Sequence, residues 1–302
     1  MALVLALREI ETALPYRFLV GHVNHALRGK ASAQDEVFVR RLSARCGWPV
    51  RVKQAPLRIR KGNLEEGLRV KRYKALFQMA EAAGCAAIFT AHTLDDQAET
   101  ILMNLLRGTG VAGLGGIQED RPEMGSSVHL CRPFLSLSKK DIVAWLKKRK
   151  APYRKDASNQ NRRFLRNWLR LSVIPLLESR APGVKERLAQ TAEMIRDEES
   201  FWESEMARLE TRLLRKSGAG QLLDFEGLLR YSRSVQRRFL RRIAGKDLLT
   251  FSGVERLRFW MGSPPTSGRV FQLRKGWIAE RLSKSKGSPS AKHFWIGPSH
   301  LR

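Results

Sequence analysis

The chain has 302 residues, 43% of them hydrophobic, and its 56 Lys and Arg residues against 29 Asp and Glu residues give a formal net charge of +27. This composition excludes general disorder, because the chain has enough apolar side chains to bury a core. The apolar opening is interrupted at Arg8 and Glu9, and no run approaches the roughly 20 apolar residues of a membrane span. Three widely spaced cysteines form no CxxC pair. We therefore expect a cytoplasmic chain with no membrane partner.

The positive charge is distributed unevenly along the sequence. Residues 1–131 carry a net charge of +5, whereas residues 132–180 and residues 181–302 carry +11 each. A basic excess of this size favours a polyanionic partner such as nucleic acid, because Lys and Arg release counterions from phosphates. The alternative is a solvated basic surface that promotes solubility.

The first part of the chain alternates between helix and strand patterns. In chain order, the predicted elements are helix Ala2–Leu14, strand Phe18–Val23, helix Gln34–Cys46, strand Val50–Val52, helix Leu64–Ala83, strand Ala86–Thr90 and helix Leu94–Leu106. This alternation predicts an α/β fold with a parallel sheet covered on both faces. Ligands of such sheets bind beyond the carboxyl ends of the strands.

From Ser138 onward the pattern is mainly helical. The predicted helices are Ser138–Lys150, Asn161–Leu177, Val184 to about Lys216 and Leu222–Ile243, with a small β unit over Gly268–Leu282 and a polar loop over Ser283–Ser290. The glycines at 108–116 follow a helix, so they indicate helix termination and close turns more than a phosphate-binding loop.

Carboxylates cluster after the strand Ala86–Thr90, in the first turns of the next helix. Asp96 and Glu99 are three residues apart and share a helix face, Asp95 precedes them, and His92 lies just before. An acidic helix N-terminus is one explanation, because the helix dipole favours it. A ligand site at the sheet edge, for a cationic substrate or Mg²⁺, is the explanation we favour.

Two other groups are candidates for chemistry. His22 and His25 are three apart on a strand and point to opposite faces, which disfavours a shared zinc ion. Arg163, Arg166 and Arg170 recur at helical steps and form either a solvated basic face or a stripe that binds phosphate or carboxylate.

Taken together and in this order, these segments resemble the tRNA(Ile)-lysidine synthetase family of the PP-loop ATP pyrophosphatase superfamily. The resemblance covers about residues 15–180 and rests on HVNHALRG (His22–Gly29), EEGLRVKRY (Glu65–Tyr73), AHTLDDQAETILMNLLRGTGVAGLGG (Ala91–Gly116), RPF (Arg132–Phe134) and DASNQNRRFLRNWLR (Asp156–Arg170). It implies a PP-loop (adenine nucleotide alpha hydrolase-like) domain at residues 1–180. A mainly helical tRNA-binding region with a small β unit would follow at residues 181–302.

The resemblance implies a carbon–nitrogen ligase that converts ATP to AMP and diphosphate. ATP adenylates C2 of the wobble cytidine in an isoleucine tRNA with a CAU anticodon, and L-lysine then displaces AMP. The product, lysidine, changes the tRNA's identity from methionine to isoleucine. ATP and Mg²⁺ are the implied cofactors, and the oligomeric state is open, with a homodimer among the alternatives.

Site residues follow from the same resemblance. Asp96, Glu99 and Arg166 match lysine-binding positions, and Asp96 could also accept the proton of the attacking amine. Arg72 and His92 match catalytic positions near the α-phosphate and the reacting base. The remaining matches are Asn24, His25 and Arg28 for ATP, and Arg163 and Arg170 for the RNA backbone.

One motif departs from the family pattern. The family's SGGxDS phosphate loop, which follows a first strand, does not occur in these 302 residues. The sequence is therefore expected to represent an incomplete synthetase with weakened ATP binding, because such a loop supplies the backbone N–H groups that hold pyrophosphate. The alternatives are an inactive RNA-binding remnant and a PP-loop enzyme that thiolates tRNA, although the cysteines lack the paired spacing of a thiolase.

Overall fold

The structure is a computed structural model that describes ten stretches of the chain. These are residues 1–24, 29–55, 64–122, 125–151, 153, 164–244, 251–264, 270–274, 276–282 and 293–298. The chain divides into two compact units, Met1–Arg196 and Asp197–Arg302. The family resemblance predicts a domain boundary at residue 180.

The first unit alternates helices and strands, as the sequence predicts. Its elements are α1 (Ala2–Ile10), a 3₁₀ turn (Glu11–Ala13), β1 (Val20–Asn24), α2 (Lys30–Cys46), β2 (Val50–Gln54), α3 (Leu64–Glu81), β3 (Ala87–Phe89), α4 (Leu94–Leu106), α5 (Val111–Leu114), β4 (Asp120–Pro122), β5 (His129–Cys131), α6 (Lys139–Lys148), α7 (Leu165–Trp168), a π-helical turn (Leu169–Val173), α8 (Ile174–Arg180) and the start of α9 (Val184–Leu213). The α/β class with parallel strands is confirmed.

The strands of this unit pair in two groups. β1 and β2 are parallel, with Val20 opposite Val50. β3 and β5 are also parallel, and the short β4 pairs antiparallel with the far side of β5. β4 and β5 were not predicted, because their sequences, DRP and HLC, contain no apolar run like that of β3.

Helix α3 packs against both groups of strands. Leu76 and Met79 lie against Gly21 of β1. Phe77 and Ala80 of the same helix form a buried cluster with Val128 and Leu130 around β5. The apolar positions of α3 therefore connect the two groups of strands.

The second unit is mainly helical and contains a small antiparallel sheet. Its elements are the remainder of α9, β6 (Leu214–Ser217), β7 (Gly220–Asp224), α10 (Phe225–Leu229), α11 (Arg233–Ala244), α12 (Phe251–Gly262), β8 (Val270–Arg274), β9 (Trp277–Arg281) and β10 (His293–Pro298). The strand order is β6-β7-β10-β9-β8. Phe225, Phe239 and Phe294 are fully buried in its core.

Two predictions in this unit differ from the structure. The helix predicted from Val184 to about Lys216 ends at Leu213, and β6 begins at Leu214. The residues from Leu222 were predicted to be helical, but Leu222–Asp224 belong to β7, and a helix begins only at Phe225. Gly218, with φ of +56°, forms the two-residue hairpin turn that reverses the chain between β6 and β7. The predicted β unit at Gly268–Leu282 is confirmed as β8 and β9, whereas the predicted loop Ser283–Ser290 lies outside the described residues.

Within the part of the chain that the structure describes, none of the helices has the length and apolar character needed to cross a bilayer.

Candidate active site

A cavity of about 680 Å³ opens where the chain leaves β3, within the size range of small-molecule sites. Residues from α3, the β3–α4 connection, α4 and the helix that starts at Leu165 line it. They are Leu68, Arg69, Arg72, Tyr73, Leu76, Thr90, Ala91, His92, Asp96, Thr100, Ile117, Phe164, Arg166, Asn167 and Arg170. This is the sheet edge at which the sequence predicts a site.

The N-terminus of α4 holds Asp96 in the cavity wall. Thr93 and Asp96 form a capping box, in which the Asp96 Oδ2 accepts from the Thr93 backbone N–H at 3.0 Å and the Thr93 Oγ1 accepts from the Asp96 N–H. The second carboxylate oxygen, Oδ1, accepts from the Arg166 Nη2 at 2.9 Å. Asp96 thus both caps the helix and lines the cavity.

Glu99 lies one turn further along α4 and is fully buried. Its Oε2 accepts from the Arg166 Nε at 2.8 Å and from the Arg170 Nη2 at 2.9 Å, and its Oε1 accepts from the Arg170 Nε at 2.6 Å. One buried carboxylate therefore fixes the planes of two guanidinium groups. We call Asp96, Glu99, Arg166 and Arg170 the carboxylate–arginine cluster.

The charges of this cluster stabilise one another. Burial by itself would lower the pKa of Arg166, but the hydrogen bond with Glu99 and the charges of Glu99 and Asp96 outweigh burial and raise that pKa. The pKa of Arg170 is raised against burial by the same two acids. Both arginines are therefore cationic at every pH at which the protein folds.

His92 is held between two hydroxyl groups. Its Nδ1 lies 3.0 Å from the Thr90 Oγ1, and its Nε2 lies 3.4 Å from the Tyr73 hydroxyl. Burial, together with the nearby positive charges of Arg132 and Arg166, lowers the pKa of His92 to about 4, although Asp96 opposes this shift. His92 is therefore a neutral imidazole at neutral pH.

This shift predicts a pH-dependent difference in stability between the wild-type chain and His92→Asn. As the pH falls below 6.5 the unfolded chain binds a proton at His92 that the folded chain takes up only near pH 4, so folding is weakened by roughly 2 kcal/mol at pH 5. His92→Asn lacks this penalty, and the other titrating groups are common to both chains. Urea denaturation at pH 7 and pH 5 should therefore show a smaller loss for the variant, and equal losses would contradict a lowered pKa.

Several cavity residues carried no role in the sequence analysis. Phe164 is 48% exposed at the cavity, Arg69 lies over the Tyr73 ring at 5.9 Å, and Asn167 is buried in the wall. Arg69 and Tyr73 are four residues apart on α3, and this spacing is the sequence signal that places both side chains on one face of the helix. Phe164 precedes α7, the helix that carries Arg166. No pattern in the sequence indicates that this aromatic side chain lies at a cavity.

The other predicted site residues divide into three groups. Arg72 lines the cavity with Asp96 and His92. Asn24 ends β1, where its Nδ2 donates to the Glu36 Oε2 at 3.1 Å, and it is not among the lining residues described above. His25, Arg28 and Arg163 lie outside the described residues.

Arg170, which was predicted to bind the RNA backbone, is part of the carboxylate–arginine cluster. Its Nε and Nη2 both donate to Glu99, and it lines the cavity. Arg132, where the basic excess of the sequence begins, is 4% exposed and donates to the Gln118 carbonyl at 2.5 Å. Neither side chain is a free surface cation.

Asp95 has a structural role outside the cavity lining. Its Oδ2 accepts from the Lys139 backbone N–H at 2.7 Å, and its Oδ1 accepts from the Lys185 Nζ at 3.0 Å. These contacts lower the pKa of Asp95 although burial would raise it. Asp95 is therefore a natural control for Asp96.

The acidic residues of the site do not fit a Mg²⁺ ion. Among the described residues no group of three or more His, Cys, Asp or Glu side chains is arranged to hold a metal, and guanidinium groups already bind the carboxylates of Asp96 and Glu99.

The second unit binds much of its own basic charge internally. Arg238 pairs with Glu199 at 2.7 and 2.6 Å, and Arg242 pairs with Glu203 and Glu210. Arg238 also lies over the Trp202 ring at 5.0 Å. The basic residues of α11 therefore contribute less net positive charge to the surface than their number in the sequence indicates.

Comparison with known proteins identifies the first unit. The sequence profile of the PP-loop domain matches residues 1–177, more than half of the chain. The chain belongs to the PP-loop family. Its fold is similar to that of a U34-tRNA thiolase, NcsA from Methanococcus maripaludis, with a TM-score of 0.54 and 18% identity over 64% of this chain and 66% of the thiolase.

This PP-loop family chain is also similar to several enzymes named tRNA(Ile)-lysidine synthase. It is 37% identical to that of Solibacter usitatus over 82% of the chain and 56% of the relative. It is 33% identical to that of Geobacter sulfurreducens over 93% of the chain and 62% of the relative. It is 42% identical to that of Thermus thermophilus over 65% of the chain and 37% of the relative. The chain thus spans about half the length of these curated relatives.

Proposed function

We propose that this chain carries the catalytic site of a tRNA(Ile)-lysidine synthase. In this reaction ATP adenylates C2 of the wobble cytidine of an isoleucine tRNA with a CAU anticodon, and the amine of L-lysine replaces AMP. Similarity to three lysidine synthases over most of the chain supports the reaction class. We assign the roles of individual residues from the family resemblance together with the geometry of the cavity.

One observation carries the proposal. Asp96 and Arg166, which are 70 residues apart in sequence, meet at 2.9 Å in the wall of a cavity that also exposes Arg72 and His92. Free lysine carries a carboxylate and two ammonium groups, and this wall offers a guanidinium and a carboxylate that can bind groups of each sign. The pairing thus matches free lysine better than it matches a nucleotide alone.

We assign the lysine ammonium to Asp96 and the lysine carboxylate to Arg166. The Asp96 side chain is 22% exposed and lines the cavity. Arg166 uses Nε and Nη2 within the cluster, and its Nη1 has no hydrogen-bond partner among the described residues, so Nη1 is the donor left for substrate. As the amine attacks, Asp96 is placed to accept its proton.

Glu99 has a different role in this proposal. It is fully buried behind Arg166 and Arg170, so a lysine ammonium would have to displace two guanidinium groups to reach it. We therefore assign Glu99 to holding these arginines in position. This assignment changes the role that the family resemblance gives to Glu99 from contact with lysine to support of its binding site.

Arginines supply the positive charge that phosphate chemistry needs. Arg69 and Arg72 on α3 line the same cavity as Arg166 and Arg170, and His92 is neutral there. We assign the α-phosphate to Arg72, the position that the family resemblance indicates, and its guanidinium group can bind phosphate oxygens in a planar, bidentate geometry. The guanidinium donors of this cavity are thus suited to the phosphates of ATP. Asn24 does not line the cavity, and its assignment to ATP rests only on its position at the carboxyl end of β1.

A separate part of the proposal concerns the phosphate loop and its contribution to ATP binding. SGGxDS does not occur in the 302 residues, and we propose that full ATP affinity belongs to a chain that includes it. In the described part of the chain β1 pairs only with β2 and β3 only with β5, while α3 packs against both groups. A further parallel strand between β1 and β3 would bring such a loop to the cavity edge.

The thiolation alternative lacks support at the cavity. Cys46, Cys85 and Cys131 are all described, and none lines the cavity. Burial raises the pKa of the Cys46 thiol, and burial together with Asp120 raises that of Cys131, which makes both poor nucleophiles at neutral pH.

The test measures incorporation of labelled lysine into tRNA. The 302-residue chain and a chain extended at its start to include an SGGxDS motif are incubated with ATP, labelled lysine and an isoleucine transcript with a CAU anticodon. A methionine tRNA with the same anticodon is the specificity control. We expect incorporation by the extended chain and much less by the 302-residue chain. Binding of tRNA without incorporation by either chain would instead favour an RNA-binding remnant.

A further inference from the structure

We propose that Gln97 is a positioning residue for the lysine site. Its amide holds the backbone of Ile117 at the cavity wall, where the Ile117 side chain packs against the methylene groups of lysine. The attachment of Ile117 to Gln97 is a property of the folded chain, whereas the contact with lysine rests on the proposed function. We call Gly115, Gly116 and Ile117 the wall segment.

The amide of Gln97 binds both backbone polar groups of one residue in the wall segment. Gln97 is buried on α4, directly after Asp96. Its Nε2 donates to the Ile117 carbonyl at 3.1 Å, and its Oε1 accepts from the Ile117 backbone N–H at 2.6 Å. A glutamine amide has one donor group and one acceptor group, so it satisfies Ile117 as a neighbouring strand would.

Gly116 leaves space for this amide. Its φ is +63°, a conformation that favours glycine, and a Cβ atom at this position would lie 2.6 Å from the Gln97 Oε1 and 3.1 Å from the Gln97 Nε2. Both atoms are at the end of a flexible side chain, so an added methyl group would displace the amide from Ile117. The contact between Gln97 and the wall segment therefore requires a residue without a Cβ atom at position 116.

A second side chain of the first unit holds the wall segment. Arg196 lies on α9, and its Nη1 donates to the Gly115 carbonyl at 2.7 Å. Ile117 is itself buried apart from the small part that lines the cavity. The position of the Ile117 side chain is therefore fixed before a substrate binds, which lowers the entropy cost of binding.

Ile117 gives the cavity an apolar surface close to the acid that we assign to lysine. Asp96 and Gln97 are adjacent on α4, so the residue bound by Gln97 is held beside the turn that carries Asp96. The leucines that line the cavity lie on α3 with Arg72, which we assign to phosphate. Lysine carries its ammonium on a flexible four-carbon stem, and burial of methylene groups against an apolar side chain favours binding. We therefore assign this stem to Ile117.

The first measurement tests the attachment by urea denaturation of the 302-residue chain and needs no activity. Gly116→Ala should lower the midpoint more than Gly108→Ala does, because Gly108 has a similar φ of +68° but no atom within 4 Å of an added Cβ. In a Gln97→Ala background this difference should disappear, since no amide is left to displace. Equal midpoints for the two glycine variants, or a difference that persists without Gln97, would overturn the inference.

The second measurement uses lysine incorporation by the extended chain described above. Gln97→Met keeps the volume of the side chain but loses both hydrogen bonds. It should raise KM for lysine by about four- to fifteenfold, the effect of one or two buried methylene groups, with little change in kcat or in KM for ATP. Ile117→Ala should act in the same way, whereas Ile117→Val should stay close to wild type. A loss confined to kcat, or equal increases in KM for lysine and ATP, would count against positioning.

Gln236→Met is the matched control. Gln236 is also buried, and its Nε2 donates to the Tyr231 carbonyl at 2.8 Å, but it belongs to the second unit. This variant should lose stability and keep the wild-type KM for lysine. If it raises that KM as much as Gln97→Met does, the effect follows from destabilisation and the inference fails.

The two measurements separate two kinds of failure. The expected urea midpoints without lysine incorporation by any chain would reject the proposed function, and with it the contact of Ile117 with lysine, but would leave the attachment standing. Incorporation with an unchanged KM for lysine in Gln97→Met would reject the role of Gln97 alone.

Discussion

Replacing Glu99 by glutamine should lower the free energy of unfolding of the first unit by about 3–5 kcal/mol, the cost of removing one partner from a buried ion pair. Glutamine keeps the shape of the side chain but leaves Arg166 and Arg170 without the anion that binds both. Three hydrogen bonds of 2.6–2.9 Å would lose their charged acceptor. Urea denaturation followed by circular dichroism measures the change, because its midpoint falls as stability falls.

Glu9→Gln is the matched control for this experiment. Glu9 also accepts two hydrogen bonds from one arginine, from the Arg149 Nε at 2.7 Å and the Arg149 Nη2 at 2.9 Å, but this pair lies on the surface of the same unit. Exposed ion pairs contribute little to stability, so this variant should unfold nearly as the wild-type chain does. If Glu99→Gln and Glu9→Gln shift the midpoint equally, Glu99 does not hold the cluster together.

Replacing Asp96 by asparagine should reduce lysine incorporation at least about 100-fold, the lower range for loss of a positioned acid–base group. Asparagine keeps a carbonyl oxygen that can accept from the Thr93 N–H, so the N-terminus of α4 should persist. What it loses is the negative charge that we assign to binding the lysine ammonium. Incorporation is measured in the extended chain, and tRNA binding, measured in parallel, should stay close to wild type.

Asp95→Asn provides the comparison. Asp95 is the adjacent carboxylate on the same helical turn, but it contacts Lys139 and Lys185 and is not a lining residue of the cavity. This variant should keep most of its incorporation while losing some stability. Equal losses in the two variants would show that the acidic helix N-terminus matters only for folding, and an unchanged rate in Asp96→Asn would reject its assignment.

Local patterns in the sequence were sufficient for the framework of the first unit. The helix Leu94–Leu106 begins and ends at the predicted residues, because Thr93 caps it and Gly108, with φ of +68°, follows its end. Strand–helix alternation likewise identified the parallel arrangement, and the rule for sheet edges located the cavity. These features depend on residues close together in the chain.

The features that the sequence did not predict depend on contacts between residues that are far apart in the chain. Spacing alone put Asp96 and Glu99 on one face, but burial behind arginines 67 and 71 residues away separates their roles. Tyr73 and His92 are 19 residues apart and meet only because α3 and β3 pack together. The same limit applies to β10, which pairs with β7 across about 70 residues and follows a polar segment.

The π-helical turn at Leu169–Val173 has a consequence for how this site tolerates change. A π turn holds one more residue than the α-helical turn it replaces, and here it immediately follows α7 and contains Arg170. The rotation of the helix beyond Arg166, and so the direction in which Arg170 points, depends on the number of residues in that turn. Substitution of a side chain such as the exposed Leu171 should have little effect on the carboxylate–arginine cluster. Gain or loss of a single residue there would rotate Arg170 away from Glu99.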